Sequence, residues 1–277
     1  MTTTTAPPAA PPAAPPAAPA GAPVEVAGST DPPDTGWLLR MSGTEMTFAN
    51  GVRAVDTVDL EVRRGEFLSV VGPSGCGKST LLRIAAGLET ATGGDVSVRT
   101  DHIGYVFQDP TLLPWRTVAA NVELPNQLLR RGRSERTGKA QAAIDMVGLT
   151  GFEKSYPAQL SGGMRMRASL ARALTLDPEL FLFDEPFGAI DEITRERLNG
   201  ELLRIFRAQS FAGVFVTHSI SEAVFLSTRV AVMSARPGRI VGEFSVPFGP
   251  VREPSLRADA AFAALTGEIG DCLRSAA

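Results

Sequence analysis

Hydrophobic positions along this chain change their spacing several times, and each spacing predicts a different kind of element. Residues 67–71 and 180–183 are short, almost wholly apolar runs, which are typical of strands buried on both faces of a parallel sheet. Residues 38–48 and 54–63 are predicted as strands joined by a turn at Asn50 and Gly51. Further strands are predicted at residues 95–99, 103–107, 214–216, 230–234 and 240–244.

Apolar residues with helical spacing lie between these strands. Helices are predicted at residues 78–86, 118–130, 134–147, 162–174, 194–209 and 258–273. Strands that alternate with helices predict an α/β domain, which we assign to residues 36–277. The consecutive helices in its middle predict a helical subdomain inserted at about residues 115–175.

Residues 1–35 differ from the rest because proline, alanine and threonine dominate them. Proline removes backbone donors, and this composition offers little material for a core. The segment is predicted to be a disordered tail with polyproline character. A docking arm for another protein is the alternative interpretation of the same tract.

Composition narrows the class of protein. A net charge of −3 gives no global basic field, so we expect no nucleic-acid partner. Two distant cysteines, Cys76 and Cys272, do not make a disulfide framework, and a reducing, cytosolic setting fits them better. No window approaches the roughly 18 apolar residues that cross a bilayer, and no signal peptide is expected. Any role at a membrane is therefore predicted to require a partner.

A glycine-rich segment between a predicted strand and helix fits the pattern G-x-x-x-x-G-K-[ST]. Glycines let backbone N–H groups curl around phosphate oxygens, and the following helix N-terminus attracts anions. Lys78 is expected to neutralise phosphate charge and Ser79 to offer a hydroxyl to Mg²⁺. The alternative is a glycine-rich turn that binds nothing. The predicted nucleotide-binding residues are Gly72, Pro73, Ser74, Gly75, Cys76, Gly77, Lys78, Ser79 and Thr80.

Two acids, Asp184 and Glu185, follow the apolar run at residues 180–183. Ligands of open α/β sheets bind at the carboxyl ends of strands, so these acids are expected near the phosphates. Asp184 is the predicted Mg²⁺ ligand, and Glu185 is predicted to face the water that attacks ATP.

The segment Leu160, Ser161, Gly162, Gly163 and Met164 resembles the signature motif of ABC ATPases. The resemblance implies a P-loop NTPase core of the ABC ATPase type, with an antiparallel β subdomain and an inserted helical subdomain. It also implies that Ser161, Gly162 and Gly163 form a second phosphate cradle, which serves the ATP of an opposing copy in a head-to-tail homodimer.

Other ABC elements follow in the family's order, and their roles come from the resemblance. Phe48 is similar to the aromatic that stacks on adenine, and Gln108 to the glutamine that senses Mg²⁺ and water. Asp191 matches the D-loop aspartate. His218 matches the switch histidine that contacts the γ-phosphate.

The resemblance also has departures. Met164 stands where the signature usually carries glutamine, and Met166 stands where the following helix often carries a second glutamine. Ile190 replaces the usual D-loop leucine. Met164 removes one polar contact at the implied dimer interface.

Residues 107–115 and 234–240 resemble the nitrate, sulfonate and taurine importer branch of the family. This implies ATP hydrolysis coupled to import through transmembrane permease subunits, with an extracytoplasmic solute-binding protein as an indirect partner. The chain would then lie peripherally at the cytoplasmic face of the membrane. The predicted catalytic residues are Glu185, His218, Gln108 and Lys78. The predicted metal ligands are Ser79, Gln108 and Asp184.

Three other classes compete with this interpretation. A soluble ABC ATPase of DNA repair or translation is disfavoured by the short segment between Lys78 and Asp184, which lacks long heptads, and by the single ATPase unit. A GTPase switch would carry an Asn-Lys-x-Asp motif, which is not found here. A binding module without catalysis is disfavoured because Lys78, Asp184, Glu185 and His218 are all present.

Overall fold

The computed structural model describes residues 36–276, and the predicted tail of residues 1–35 lies outside them. Within this range, strands and helices alternate along most of the chain. The strands are β1 Trp37–Thr47, β2 Arg53–Arg63, β3 Phe67–Val71, β4 Gly93–Val98, β5 Ile103–Val106, β6 Leu180–Asp184, β7 Ala212–Thr217, β8 Arg229–Met233 and β9 Ile240–Ser245. The helices are α1 Lys78–Ala85, α2 Val118–Val122, α3 Leu124–Leu128, α4 Arg133–Met146, α5 Gly162–Leu174, α6 Glu192–Gln209, α7 Ile220–Leu226 and α8 Ala260–Ser275.

The larger sheet has six strands in the order β5-β6-β7-β3-β8-β9. The first five are parallel, and β9 joins the edge antiparallel to β8. Every residue of β3, β6 and β7 is buried, which explains their continuous apolar runs. The carboxyl ends of these three strands therefore meet at one edge, where open α/β sheets bind ligands.

The smaller sheet is antiparallel and has the order β2-β1-β4. Its first two strands are joined by the predicted turn, where the N–H of Gly51 donates to the carbonyl of Phe48 at 2.8 Å. Gly51 has φ +82°, which suits glycine. This sheet is the antiparallel β subdomain that the sequence predicted.

Two hydrophobic cores lie on opposite faces of β3, because successive side chains of a strand point to opposite sides. Phe67 and Val71 pack in the core that contains α5 to α8 and the inserted helices. Leu68 and Val70 pack in the core that contains α1 and the antiparallel sheet. The loop that leaves β3 is thus anchored from both sides.

Every predicted strand forms, with bounds within two residues of those predicted. The single helix predicted at 118–130 is wrong, since α2 ends at Val122 and α3 starts at Leu124. Pro125 has no N–H to donate to the carbonyl of Asn121, so one continuous helix cannot form there. Helix α7 was not predicted. Among residues 36–276, no helix combines the length and the apolar character needed to cross a membrane.

Candidate functional site

The glycine-rich loop joins β3 to α1 and contains two glycines with left-handed backbones. Gly75 has φ +77° and Gly77 has φ +114°. A Cβ on Gly77 would lie only 2.5 Å from the carbonyl oxygen of Ala54. No other residue fits Gly77 without moving the backbone, so the loop's curvature depends on this position. The loop ends where the unpaired N–H groups of α1 begin.

Lys78 is the first residue of α1, and its side chain folds back over the loop. Only 4 % of the residue is exposed. Its Nζ donates to the carbonyls of Gly72 at 2.9 Å and Pro73 at 3.0 Å. It also lies 3.4 Å from Oε1 of Glu185. A buried ammonium needs such partners, and here they hold it over the concave side of the loop.

Asp184 ends β6 and faces the first turn of α1. The hydroxyl of Ser79 donates to its Oδ1 at 2.6 Å. The phenol of Tyr105, in the neighbouring strand β5, donates to its other oxygen, Oδ2, at 3.3 Å. The carboxylate is buried with one donor on each oxygen. Tyr105 was not among the residues predicted from the sequence.

Glu185 follows with φ +44°, a left-handed backbone that is uncommon for a non-glycine residue. Its N–H donates to the carbonyl of Val216 at 3.0 Å, which ties the turn to β7. Its Oε2 lies 3.2 Å from Nδ1 of His218. Glu185 therefore lies between Lys78, at the start of α1, and His218, directly after β7.

A cavity of about 530 Å³, which we term the phosphate-loop cavity, has Lys78 and Glu185 on its wall, while Asp184 and His218 are not among its lining residues. Its volume lies within the range of about 300–1,000 Å³ that is usual for small-molecule sites. The predicted residues that line it are Phe48, Ser74, Gly75, Gly77, Lys78, Ser79, Thr80, Gln108 and Glu185. The lining residues that were not predicted are Asn50, Val52, Ala54 and Arg236.

Arg236 lies on the rim of this cavity. Its Nε and Nη2 donate to the carbonyl of Gly75 at 3.0 and 2.8 Å. Gly238, two residues later, packs so closely on the loop that a Cβ there would lie 2.2 Å from the carbonyl oxygen of Cys76. The sequence predicted residues 234–240 to be a segment typical of one branch of a family. Nothing in the sequence indicated that this segment contacts the glycine-rich loop.

Cys76 is predicted to bind nucleotide, but its side chain is buried behind the loop. Its Sγ lies 4.0 Å from Nζ of Lys78. Burial raises the pKa of the thiol, and the nearby lysine only partly offsets this. The side chain therefore packs as a neutral group beneath the loop.

The signature segment, residues 160–164, does not contribute to the phosphate-loop cavity among the residues described. Ser161 caps α5, and its Oγ accepts from the N–H of Met164 at 3.3 Å. Gly162 lines a second cavity of about 380 Å³, together with Gln108 and Arg165. The signature segment thus lies away from the phosphate-loop cavity, and Gln108 is on the wall of both cavities.

Asp191 caps α6, and its Oδ1 accepts from the N–H of Thr194 at 3.0 Å. This backbone N–H lowers the pKa of the Asp191 carboxyl. In a single chain, the structure does not bring Asp191 to the phosphate-loop cavity within residues 36–276.

Comparison with known proteins agrees with this geometry. The family model described as ABC transporter matches residues 55–188. An uncharacterised ABC transporter ATP-binding protein of Methanocaldococcus jannaschii is 52 % identical over 198 residues, which span 69 % of this chain and 74 % of that protein. This chain belongs to the ABC transporter ATP-binding family. It is an ATPase, and its nucleotide is ATP.

One further relative and one solved structure are similar to this ABC ATPase. The aliphatic sulfonates import ATP-binding protein of Bacillus cereus is 42 % identical over 196 residues, which span 68 % of this chain and 77 % of that protein. A solved structure described as the dimeric structure of a bacterial ABC transporter cassette has a TM-score of 0.69 and 32 % identity. That match covers 76 % of this chain and 100 % of that chain. The ABC ATPase fold predicted from the sequence is thereby confirmed.

Proposed function

We propose that this ABC ATPase drives import of a small oxyanion of the nitrate, sulfonate or taurine class through a partner permease. The 42 % identity to an aliphatic sulfonate import protein supports the substrate class. The segments at residues 107–115 and 234–240 support the same branch. In this proposal the chain lies at the cytoplasmic face of the membrane, and an extracytoplasmic solute-binding protein delivers the solute to the permease.

ATP would lie with its phosphates in the loop of residues 72–79 and its adenine against Phe48. The left-handed glycines, the N–H groups at the start of α1 and the Lys78 ammonium all favour a polyanion there. Phe48 lines the same cavity, so one nucleotide could contact both ends of it. Lys78 would stabilise negative charge on the phosphates.

The oxygen donors at this site fit Mg²⁺. The hydroxyl of Ser79 and the carboxylate of Asp184 are 2.6 Å apart, and Ser79 lies with Gln108 on the wall of the phosphate-loop cavity. Hydroxyl, carboxylate and amide oxygens, together with phosphate oxygens, are ligands that Mg²⁺ takes in proteins. When bound by these residues, Mg²⁺ would neutralise charge on the transferring phosphate.

Glu185 would orient the attacking water and accept its proton. The carboxylate is held between Lys78 at 3.4 Å and His218 at 3.2 Å. When its carboxylate is ionised, Glu185 can only accept, and Nδ1 of His218 would donate to it. The nearby charge of Lys78 and this contact with His218 restrain the direction of the Glu185 side chain, which is what positioning of a water molecule requires.

The observation that carries the motor mechanism is the separation of the signature segment from the phosphate-loop cavity. Ser161 caps the start of α5, and Gly162, the first residue of that helix, lines a different cavity. A second copy packed head to tail would bring its Ser161 to the ATP bound at Lys78. The dimer described for the similar cassette supports this assembly. ATP would then join the two copies, and hydrolysis would release them.

The Glu185→Gln variant tests this mechanism. It should still bind ATP, because Lys78 and the loop are unchanged, but hydrolysis should fall by about a hundredfold or more. ATP should convert it to a dimer on a sizing column. Glu268→Gln, an exposed substitution in α8, is the matched control and should behave as the wild type. A Glu185→Gln protein that hydrolyses ATP at the normal rate and stays monomeric would contradict the mechanism.

The proposed substrate class needs its own test. Cells that lack this chain should lose uptake of labelled sulfonate, and the wild-type chain should restore it while the Lys78→Ala variant should not. Labelled nitrate and taurine, measured in the same cells, distinguish the members of the class. Unchanged uptake of all three would exclude the class without affecting the ATPase mechanism.

A further inference from the structure

The register between β5 and β6 brings a tyrosine onto the face of the metal-binding carboxylate proposed above. Tyr105 is paired with Leu182 in this parallel ladder. Side chains two residues apart on a strand share a face, so Leu182 and Asp184 point the same way. The phenol of Tyr105 extends along that face and reaches Oδ2 of Asp184 at 3.3 Å.

The two oxygens of Asp184 are thus held by different elements. Ser79, from α1, donates to Oδ1 at 2.6 Å, while Tyr105, from β5, donates to Oδ2. The carboxylate is 5 % exposed, so water has little access to replace either donor. Without the phenol, one buried oxygen would lose its partner, and the carboxylate could rotate about its terminal bond more freely.

The ring of Tyr105 is held in place by its neighbour. It packs on Phe107 with ring centroids 4.2 Å apart. This packing limits rotation of the ring and helps to hold the hydroxyl at Asp184.

We propose that Tyr105 is a positioning residue for the metal site, holding Oδ2 of Asp184 so that Oδ1 stays directed at Ser79. This inference rests on the proposed Mg²⁺ role of Ser79 and Asp184. It adds a residue that lies outside the nucleotide-binding motifs and acts only through Asp184. Substitution of Tyr105 is therefore expected to change the metal-dependent part of ATP binding. It should not change the binding of phosphate by the loop.

The test compares Tyr105→Phe with Tyr156→Phe, which removes the same hydroxyl from the chain's other tyrosine, at an exposed position. Binding of ATP is titrated calorimetrically in Mg²⁺ and in EDTA, and Mn²⁺ binding to the nucleotide complex is followed by electron paramagnetic resonance. Tyr105→Phe should reduce the gain in affinity that the metal gives by roughly threefold to tenfold, the range that one hydrogen bond controls. In EDTA it should match the wild type, as should Tyr156→Phe under both conditions.

Two further results separate the possible failures. If Mg²⁺ does not change ATP affinity in the wild type, the proposed metal site itself is wrong. If the wild type responds to Mg²⁺ and Tyr105→Phe responds equally, or loses affinity equally in EDTA, the positioning role is wrong. In the Asp184→Asn background, Tyr105→Phe should have no additional effect on Mn²⁺ binding, because the proposed action passes through that carboxylate. An undiminished effect in that background would also overturn the proposal.

Discussion

The hydroxyl of Ser79 and the carboxylate of Asp184 share a 2.6 Å hydrogen bond although they are 105 positions apart in the chain. Ser79 lies in the first turn of α1, directly after the glycine-rich loop, and Asp184 is the last residue of β6. Because β3 and β6 are parallel strands of one sheet, the helix that follows one meets the carboxyl end of the other. The pair joins the phosphate loop to the acids at the end of β6.

Asp184→Asn tests whether this pair binds the metal. The substitution keeps the shape of the side chain but removes its charge, so Mg²⁺-dependent ATP hydrolysis should fall by about a hundredfold or more. Binding of ATP in EDTA should persist, because Lys78 and the loop remain. Phosphate release and calorimetric titration measure the two properties. Asp271→Asn, at an exposed position in α8, is the control, and a fully active Asp184→Asn enzyme would exclude the metal role.

Features of the fold that depend on local pattern could be predicted from the sequence. Strand β3 was predicted with the bounds that the structure has, because all five of its positions are buried and therefore apolar or small. Helix α7 was missed, although its capping signal was present. The Oγ of Ser219 accepts from the N–H of Glu222, and this Ser-x-x-Glu spacing is the sequence signature of a capped helix start.

Contacts that depend on packing could not be predicted in the same way. Arg236 contacts Gly75 across 161 positions, and Tyr105 contacts Asp184 across 79. Both contacts depend on strand order and register, which a single sequence does not specify. The predicted site residues came from motifs that are each local in sequence. Most of those in the glycine-rich loop share the phosphate-loop cavity, whereas Ser161 and Asp191 do not line it. The two additional side chains belong to none of these motifs.

Lys78→Ala should abolish ATP hydrolysis. The Lys78 ammonium is the buried cation of the phosphate-loop cavity, whereas Arg236, which also lines it, is exposed and donates to the carbonyl of Gly75. Phosphate release should fall to background, and ATP affinity should fall as well, because the buried charge that binds the phosphates is gone. Lys154→Ala is the matched control, since it removes an exposed lysine. Full activity of Lys78→Ala would show that the loop is not the catalytic site.

Glu222 makes the stability of the fold depend on pH, and the direction of this dependence follows from its burial. It is 5 % exposed, and its Oε2 accepts from Oγ1 of Thr217 at 2.5 Å. Burial raises the pKa of Glu222, although Thr217, Arg195 and His218 favour its charged form. The folded state therefore binds this proton more tightly than the unfolded state. Stability from this group is fully present below the unfolded pKa and is lost as the pH rises through the folded pKa.

Glu222→Gln removes this titration while keeping the shape of the side chain. The melting temperature of the variant relative to the wild type should therefore rise between mildly acidic and neutral pH. Thermal unfolding at several pH values measures this difference, and Glu268→Gln, at an exposed position in α8, should give a difference that does not change with pH. If the difference in melting temperature between Glu222→Gln and the wild type does not change with pH, Glu222 has the same pKa in the folded and unfolded states.

The signature segment should act on the ATP of the opposing copy. In the head-to-tail dimer, each ATP would contact Lys78 of one copy and Ser161 of the other. Ser161→Ala should therefore impair hydrolysis and ATP-driven dimerisation while leaving ATP binding to the monomer nearly unchanged. Part of any effect could arise from the lost cap of α5, so Thr117→Ala, which removes a cap of the same 3.3 Å length from α2, is the control.

A mixture of two inactive variants shows whether Ser161 serves the ATP of its own chain or that of the opposing copy. In a mixed dimer of Lys78→Ala and Ser161→Ala chains, one ATP site carries both substitutions and the other carries neither. Random pairing makes about half of the dimers mixed, each with one intact site of two, so roughly a quarter of wild-type hydrolysis should return. If Ser161 instead served its own chain's ATP, every site in the mixture would keep one substitution, and phosphate release would stay at the level of the separate variants.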